Sequence, residues 1–343
     1  MQRFSLVCLI LIAVVGSTEV KAQDPQFSQF YAAPLYLNPA FTGSTGCGRA
    51  GLNYRNQWPA IPASFVTTAA YVDYFFEDYN SGVGLLISND REGLAGLNST
   101  SVTLNYAYQL NINEFVTIRP GISAGYTFRD LDFSRLTFGD QFDADGNVIN
   151  PLTSEPLNVG NTGYFDFGAG VLAYTQNFWI GFAASHLTEP DQSLLEDGSS
   201  PLPRKFSVHA GYKINLPKAV YSKGIIPKRR ERSITPTVQY KTQGNFDQLD
   251  LGVYITLEPI VFGLTYRGLP VKSLEGFPNN ESAIALIGFS SNGMHIGYSF
   301  DYTLSDLGIS SGGAHEVSIS YNFCLRDPRK PPKNTRQIPC PKF

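Results

Sequence analysis

Apolar and polar residues alternate with a period of two along nearly the whole chain. Successive strand residues point to opposite faces, so this alternation sorts one face of each strand from the other. Between Ser99 and Leu110, the residues Val102, Leu104, Tyr106, Tyr108 and Leu110 share one face, and Ser99, Ser101, Thr103, Asn105 and Gln109 share the other. The next stretch sets Val116, Ile118, Ile122, Ala124, Tyr126 and Phe128 against Thr117, Arg119, Gly121, Ser123, Thr127 and Arg129. Met294 to Tyr302 and Val317 to Phe323 repeat the pattern, with Asp301 and Glu316 among the polar positions. A soluble sandwich also alternates, but its strands average about five or six residues. These stretches reach about ten or more, the length a tilted strand needs to cross a bilayer. The pattern predicts an all-β fold, a transmembrane antiparallel up-and-down β-barrel with an apolar wall and a polar lumen.

Fourteen segments fit this reading, near 47–57, 64–76, 81–89, 97–111, 114–130, 162–175, 177–187, 204–216, 232–243, 246–257, 260–268, 281–291, 293–303 and 314–324. An even number is what single-chain bacterial barrels use. The connections Glu77–Asn80, Asn111–Asn113, Thr175–Asn177, Glu258–Pro259 and Ser291–Asn292 are short, whereas 131–161, 188–203, 269–280 and 304–313 are long. They alternate as periplasmic turns alternate with outer loops, which puts the N- and C-termini on the periplasmic side. Two connections break the rule: Thr242–Asn245 is short on the outer side, and 217–231 is long on the inner side.

Three segments flank the barrel region 47–324. Residues 1–22 carry Arg3, an apolar run from Phe4 to Val15, and the ending Val20-Lys21-Ala22. That is the pattern of a secretory signal peptide cleaved near Ala22, and its apolar run is shorter than the roughly 20 residues of a spanning helix. Residues 23–46, with Asp24, Pro25, Gln26, Phe27, Phe30, Asn38 and Pro39, are too few for a domain and too aromatic for an idle linker. They are expected to plug the lumen from the periplasmic side or to strap a partner. Residues 325–343 hold Pro328, Pro331, Pro332, Pro339 and Pro341 and predict an extended periplasmic tail. Its Arg326, Arg329 and Lys330, together with Lys228, Arg229 and Arg230 of the inner connection, make a basic inner rim, while the outer loops are acidic. Such a rim is either a solvated surface or a docking face for a partner of opposite sign.

Composition sharpens the membrane reading. The chain is 13% aromatic and only 16% charged, with 32 glycines, against about 25% charged residues in ordinary soluble domains. Removing Arg3, Lys21 and Glu19 with the signal peptide takes the formal charge from −3 to −4, which gives no basis for nucleic-acid binding. His186, His209, His295 and His315 fall in separate predicted strands with no paired spacing, so no metal site is expected. No nucleophile motif is present, and neither an enzyme activity nor a cofactor is expected. After the signal peptide three cysteines remain, Cys47, Cys324 and Cys340, in an oxidising compartment. Closing the barrel brings Cys47 near Cys324, so a disulfide is expected across the seam, or from Cys47 to Cys340 of the tail.

Both ends of the chain carry a resemblance. The start Asp24-Pro-Gln-Phe-Ser-Gln-Phe, the box Asn38-Pro-Ala-Phe-Thr-Gly, Arg55-Asn-Gln-Trp58, the last strand Gly313 to Phe323 and the ending Cys340-Pro-Lys-Phe343 are similar to the PorP/SprF family of Bacteroidetes outer-membrane proteins. That resemblance implies a component of type IX secretion and gliding motility in the cell outer membrane. It implies support for the export or surface anchoring of a large adhesin or other cargo. The implied partners are periplasmic and outer-membrane secretion proteins, the secreted adhesin, and outer-membrane lipids. The alternative is a channel or transporter for small or hydrophobic solutes. Arg119, Arg129, Asp250, Asp301 and Glu316 would then line a pore, although charges facing a closed lumen can equally pair with one another.

Overall fold

The computed structural model describes residues 24–62, 64–93, 96–132, 136–143, 148–150, 153–154, 161–195, 198–217, 220–221, 228–274, 277–304, 308–324 and 338–343. Among them, fourteen antiparallel strands form a closed barrel in chain order. They are β1 (Gly48–Gln57), β2 (Phe65–Phe76), β3 (Ser81–Glu92), β4 (Leu97–Tyr108), β5 (Thr117–Asp130), β6 (Thr162–Tyr174) and β7 (Phe178–Ser185). Then follow β8 (Lys205–Tyr212), β9 (Arg232–Gln243), β10 (Phe246–Leu257), β11 (Ile260–Leu274), β12 (Phe277–Ser291), β13 (Met294–Thr303) and β14 (Ala314–Phe323). Short pieces at Leu110–Asn111 and Ile214–Asn215 extend the pairing to β5 and β9. The ring closes where β1 pairs with β14 from Gly48↔Phe323 to Gln57↔Ala314.

The faces are sorted inversely to those of a soluble protein. Leu104 is 63% exposed on the outer face, where Tyr54, Ile122, Leu264 and Tyr321 are exposed too, whereas Glu316, Arg119 and Arg267 are each 0% exposed inside. Apolar side chains belong on the outside only where the outside is lipid. Closure matters for the same reason, because an unpaired strand edge would leave backbone polar groups in hydrocarbon.

One rim carries the tight connections, including Asn80 and the Asn292-Gly293 pair in left-handed conformations that Asn and Gly adopt at low cost. The opposite rim carries the described parts of 131–161 and 186–204. Cys47 and Cys324 meet at the turn rim, at the foot of β1 and the end of β14, in a disulfide with Cα atoms 5.0 Å apart. Cys340 is a free thiol.

Three expectations are corrected. Segment 269–280 is not a loop: β11 runs to Leu274 and β12 starts at Phe277, with register shifts at Arg267/Gly268 and Leu269/Ser273. Beyond the bilayer a hairpin needs no facial alternation, and bulges let pairing resume after an irregular stretch. The N-terminal side does not lie at the turn rim, because Asp24 sits at the loop rim beside Gln243 and Lys205. The described end of the tail, Ile338 to Phe343, does not stay outside the barrel, because Ile338 and Phe343, each 4% exposed, are buried within it. The tail positions Arg326, Arg329 and Lys330, and the predicted signal peptide, lie outside the described residues.

Replacing Cys47 and Cys324 with Ser is expected to leave a closed barrel, because the β1–β14 ladder survives, while lowering stability by about 2–4 kcal/mol. Peptide mapping without reduction is expected to recover the Cys47–Cys324 pair from the wild type, and urea unfolding reads the loss in the variant.

Candidate functional site

Arg55 on β1, Asp301 on β13 and Glu316 on β14 occupy the polar register of their strands and are buried. Arg55 Nη1 donates to Asp301 Oδ2 at 2.9 Å and to Glu316 Oε2 at 3.4 Å. Beside them, Arg267 on β11 donates from Nε to Asp250 Oδ1 at 2.9 Å and from Nη1 to Asp301 Oδ2 at 3.3 Å. Buried charges are tolerable only when they are paired and their remaining hydrogen-bonding capacity is used.

The N-terminal strap uses that capacity. Glu316 accepts the backbone N–H groups of Ser28 at 2.7 Å and Gln29 at 3.0 Å. Ser28 Oγ donates to Asp301 Oδ2 at 2.5 Å and accepts from Arg55 Nη1 at 2.7 Å. The Gln29 amide is also occupied, donating to the Glu316 carbonyl and Ser299 Oγ and accepting from Ser318 Oγ at 2.6 Å. The strap boxes and the charged strand boxes at the two ends of the sequence therefore converge on one point in the lumen.

A second clamp holds residues 38–43. Asn38 caps the short helical turn Pro39–Phe41 by accepting the Ala40 N–H at 2.9 Å, and its Nδ2 donates to the Phe182 carbonyl at 3.1 Å. Arg119 Nε donates to the Ala40 carbonyl at 3.2 Å, Arg119 Nη2 donates to the Thr42 carbonyl, and Asp73 accepts the Gly43 N–H at 2.6 Å. Between the clamps the strap's apolar residues make a core inside the barrel. Phe30, Tyr31 and Phe41 pack with the inward-facing Trp179, Tyr174 and Tyr254, and Phe27 and Leu35 pack with Tyr71 and Leu86.

Glycines on the lumen face make room for it. A Cβ on Gly121 would lie 2.5 Å from the Ala40 nitrogen, and one on Gly82, Gly170 or Gly297 would collide with Thr42, Asn38 or Gln29. The tail fits in the same way, with the Phe343 Cβ against Gly288 and its ring stacked on Tyr254 at 5.4 Å.

At the loop rim the strap begins in an ionic network. His186 Nε2 lies 2.7 Å from Asp24 Oδ2, His186 Nδ1 lies 2.8 Å from Asp166 Oδ2, and Lys205 Nζ also reaches Asp24. Gln26 donates to Glu281 at 2.8 Å and accepts from Lys241 at 3.1 Å, and the Pro25 carbonyl accepts from the Tyr36 hydroxyl at 2.6 Å.

The structure thus gathers Asp24, Pro25, Gln26, Phe27, Phe30, Asn38, Pro39 and Arg55 in the lumen. Trp58 instead packs at the loop rim, edge-on to Phe65, with its N–H donated to Gly313. Lys228 and Arg229 form a short hairpin with Val220 and Tyr221 at the turn rim, next to Arg230. Asp73, Arg267 and the inward glycines are site residues that sequence reasoning did not single out. Gly121 and Gly297, placed where polar side chains alternate, were the available signal. Among the described residues, no group of three or more His, Cys, Asp or Glu side chains is arranged to hold a metal ion.

The profile of the type IX secretion system membrane protein PorP/SprF matches residues 19–321. The chain belongs to the PorP/SprF family. It is an outer-membrane β-barrel component of the type IX secretion system. No curated protein matches it. Among solved structures, it is similar to the outer membrane protein Omp33 of Acinetobacter baumannii, at 8% identity and a TM-score of 0.44, covering 81% of this chain and 98% of that one. A deletion mutant of the TodX monoaromatic hydrocarbon channel gives 12% and 0.46, covering 85% and 94%. A FadL homologue of Pseudomonas aeruginosa gives 13% and 0.43, also covering 85% and 94%. At such scores the likeness bears on neither solute nor partner.

The loop-rim network of this PorP/SprF barrel is pH-sensitive. Burial disfavours the charged His186 ring, but the Asp24 and Asp166 carboxylates outweigh it and bring the imidazole up to about 9. Burial likewise opposes ionised Asp24, yet Lys205 and His186 hold its carboxyl well below the usual range. The raised His186 value means that its stabilisation is complete below about 6.5 and is lost as pH rises through the folded value. The Asp24 contribution runs the other way, present above about 3.9 and lost as pH falls. An NMR titration of the His186 ring is expected to show a midpoint near 9, falling in Asp24→Asn. A wild-type midpoint at or below the ordinary histidine value would contradict this geometry.

Proposed function

We propose that this protein serves the type IX secretion apparatus as an anchor and scaffold, supporting the export or surface attachment of a large adhesin or other cargo. The observation that carries the proposal is the lumen filled by the chain's own strap and tail. A barrel closed in this way is suited to hold partners at its rims rather than to conduct solutes. Contact with periplasmic machinery is assigned to the turn rim, where Lys228, Arg229 and Arg230 lie, and to the basic stretch with Arg326, Arg329 and Lys330. Contact with cargo is assigned to the loop rim.

Two measurements test this. Deleting the gene is expected to reduce adhesins on the cell surface and movement over surfaces, and unchanged secretion and adhesion would defeat the proposal. In planar bilayers the purified barrel is expected to give no large, steady conductance steps, and Gly121→Leu, which pushes the strap off β5, is expected to introduce them. Large steady steps from the wild type would instead favour the channel for small or hydrophobic solutes.

A further inference from the structure

The strap does not fill the lumen evenly. Between its turn at Leu35–Pro39 and the wall of β3 to β7 lies a cavity of about 160 Å³. The lining residues reach to the loop rim at Asp24, His186, Gln192 and Lys205. Its two sides differ in chemistry. The strap contributes the apolar Leu35, Leu37 and Pro39 with the Tyr36 ring, whereas the wall contributes hydroxyls from Ser99, Ser101 and Thr103 on β4 and Ser123 and Thr127 on β5. Asn105, 3% exposed, ends this hydroxyl row, and its side-chain oxygen has no hydrogen-bond partner.

The charged groups at the mouth bond one another or neutral neighbours. Asp24 pairs with His186 and Lys205, His186 pairs also with Asp166, Arg129 donates to Gln192 and Ser99, and Asp90 accepts from Thr67. The mouth carries both signs, Asp24, Asp90, Glu92 and Asp166 against Arg129, His186 and Lys205, so no single sign of charge dominates it. What remains is a slot with an apolar side and a side of hydroxyl and amide groups. It is smaller than the ~300–1,000 Å³ usual for drug-sized ligands.

We propose that this cavity is a binding site for one ring of a neutral saccharide entering from the loop rim. The C–H face of the sugar would lie on Leu35, Leu37 and Tyr36, and its hydroxyls would bond Ser101, Thr103 and the unpartnered Asn105 oxygen. This inference is independent of the secretion reading.

The test uses the full-length barrel in a sugar-free detergent with glucose, galactose and N-acetylglucosamine as probes, read by saturation-transfer NMR. Saturable binding of at least one of them is expected. Thr103→Val, which removes a hydroxyl at constant volume, and Ser101→Leu, which also fills the slot, are expected to weaken it about tenfold. Unchanged heat-dependent gel mobility verifies that each variant folds. Absence of saturable binding of all three sugars, binding unaffected by both substitutions, or, with glucosamine and glucuronate added as charged probes, a preference for either of these would overturn the proposal.

Discussion

A barrel of fourteen strands has more interior than its own inward side chains can fill. About eight strands is the size at which wall side chains meet across the axis, and wider rings enclose water, a ligand or a plug. This chain fills its interior with its own ends, and the rest of the structure follows from that choice. The strap enters at Asp24 on the loop rim and leaves at Cys47 on the turn rim, and the final residues Ile338 to Phe343 return to the interior. Because the strap brings Phe30, Tyr31 and Phe41 against Trp179 and Tyr254, a hydrophobic core forms inside a polar-lined ring. The lipid side needs no such core.

That arrangement sets the electrostatics. Asp301, Glu316 and Asp250 are paired with Arg55 and Arg267, and the Ser28 and Gln29 N–H groups add two further hydrogen bonds to the Glu316 carboxyl. Removing one member of a buried pair leaves an uncompensated charge, at a cost of about 3–5 kcal/mol. The same residues would be a poor pore lining, because each is spent on a neighbour. The Cys47–Cys324 disulfide then holds the end of the strap and the root of the tail at one point on the rim. The filling is therefore attached to the wall by polar clamps, by packing and by a covalent bond.

The barrel was legible because its signal is local. Val102, Leu104, Tyr106 and Tyr108 face out and Asn105 faces in, as period-two alternation requires. The hairpin at 269–280 was missed because pairing beyond the bilayer carries no such alternation. The individual strap and strand boxes were visible, but their meeting was not. Ser28 is 288 residues from Glu316, and Arg55 is 246 from Asp301. No local period reports a contact across that distance. The proline-rich ending reads as extended backbone, yet its composition is silent on whether its last residues, Ile338 to Phe343, lie outside the barrel or inside. The lumen-facing glycines, among them Gly121, Gly288 and Gly297, were the hint that something presses against the wall from within.

Hydrogen–deuterium exchange of the barrel in lipid bilayers tests the filled lumen most directly. Amides of Ser28 and Gln29, bonded to Glu316, and of Ala40 and Gly43, bonded to Asn38 and Asp73, are expected to exchange as slowly as those of the neighbouring strands. Exchange of the strap amides within seconds, while the strands stay protected, would mean that the strap lies outside the lumen and would contradict the structure's central feature.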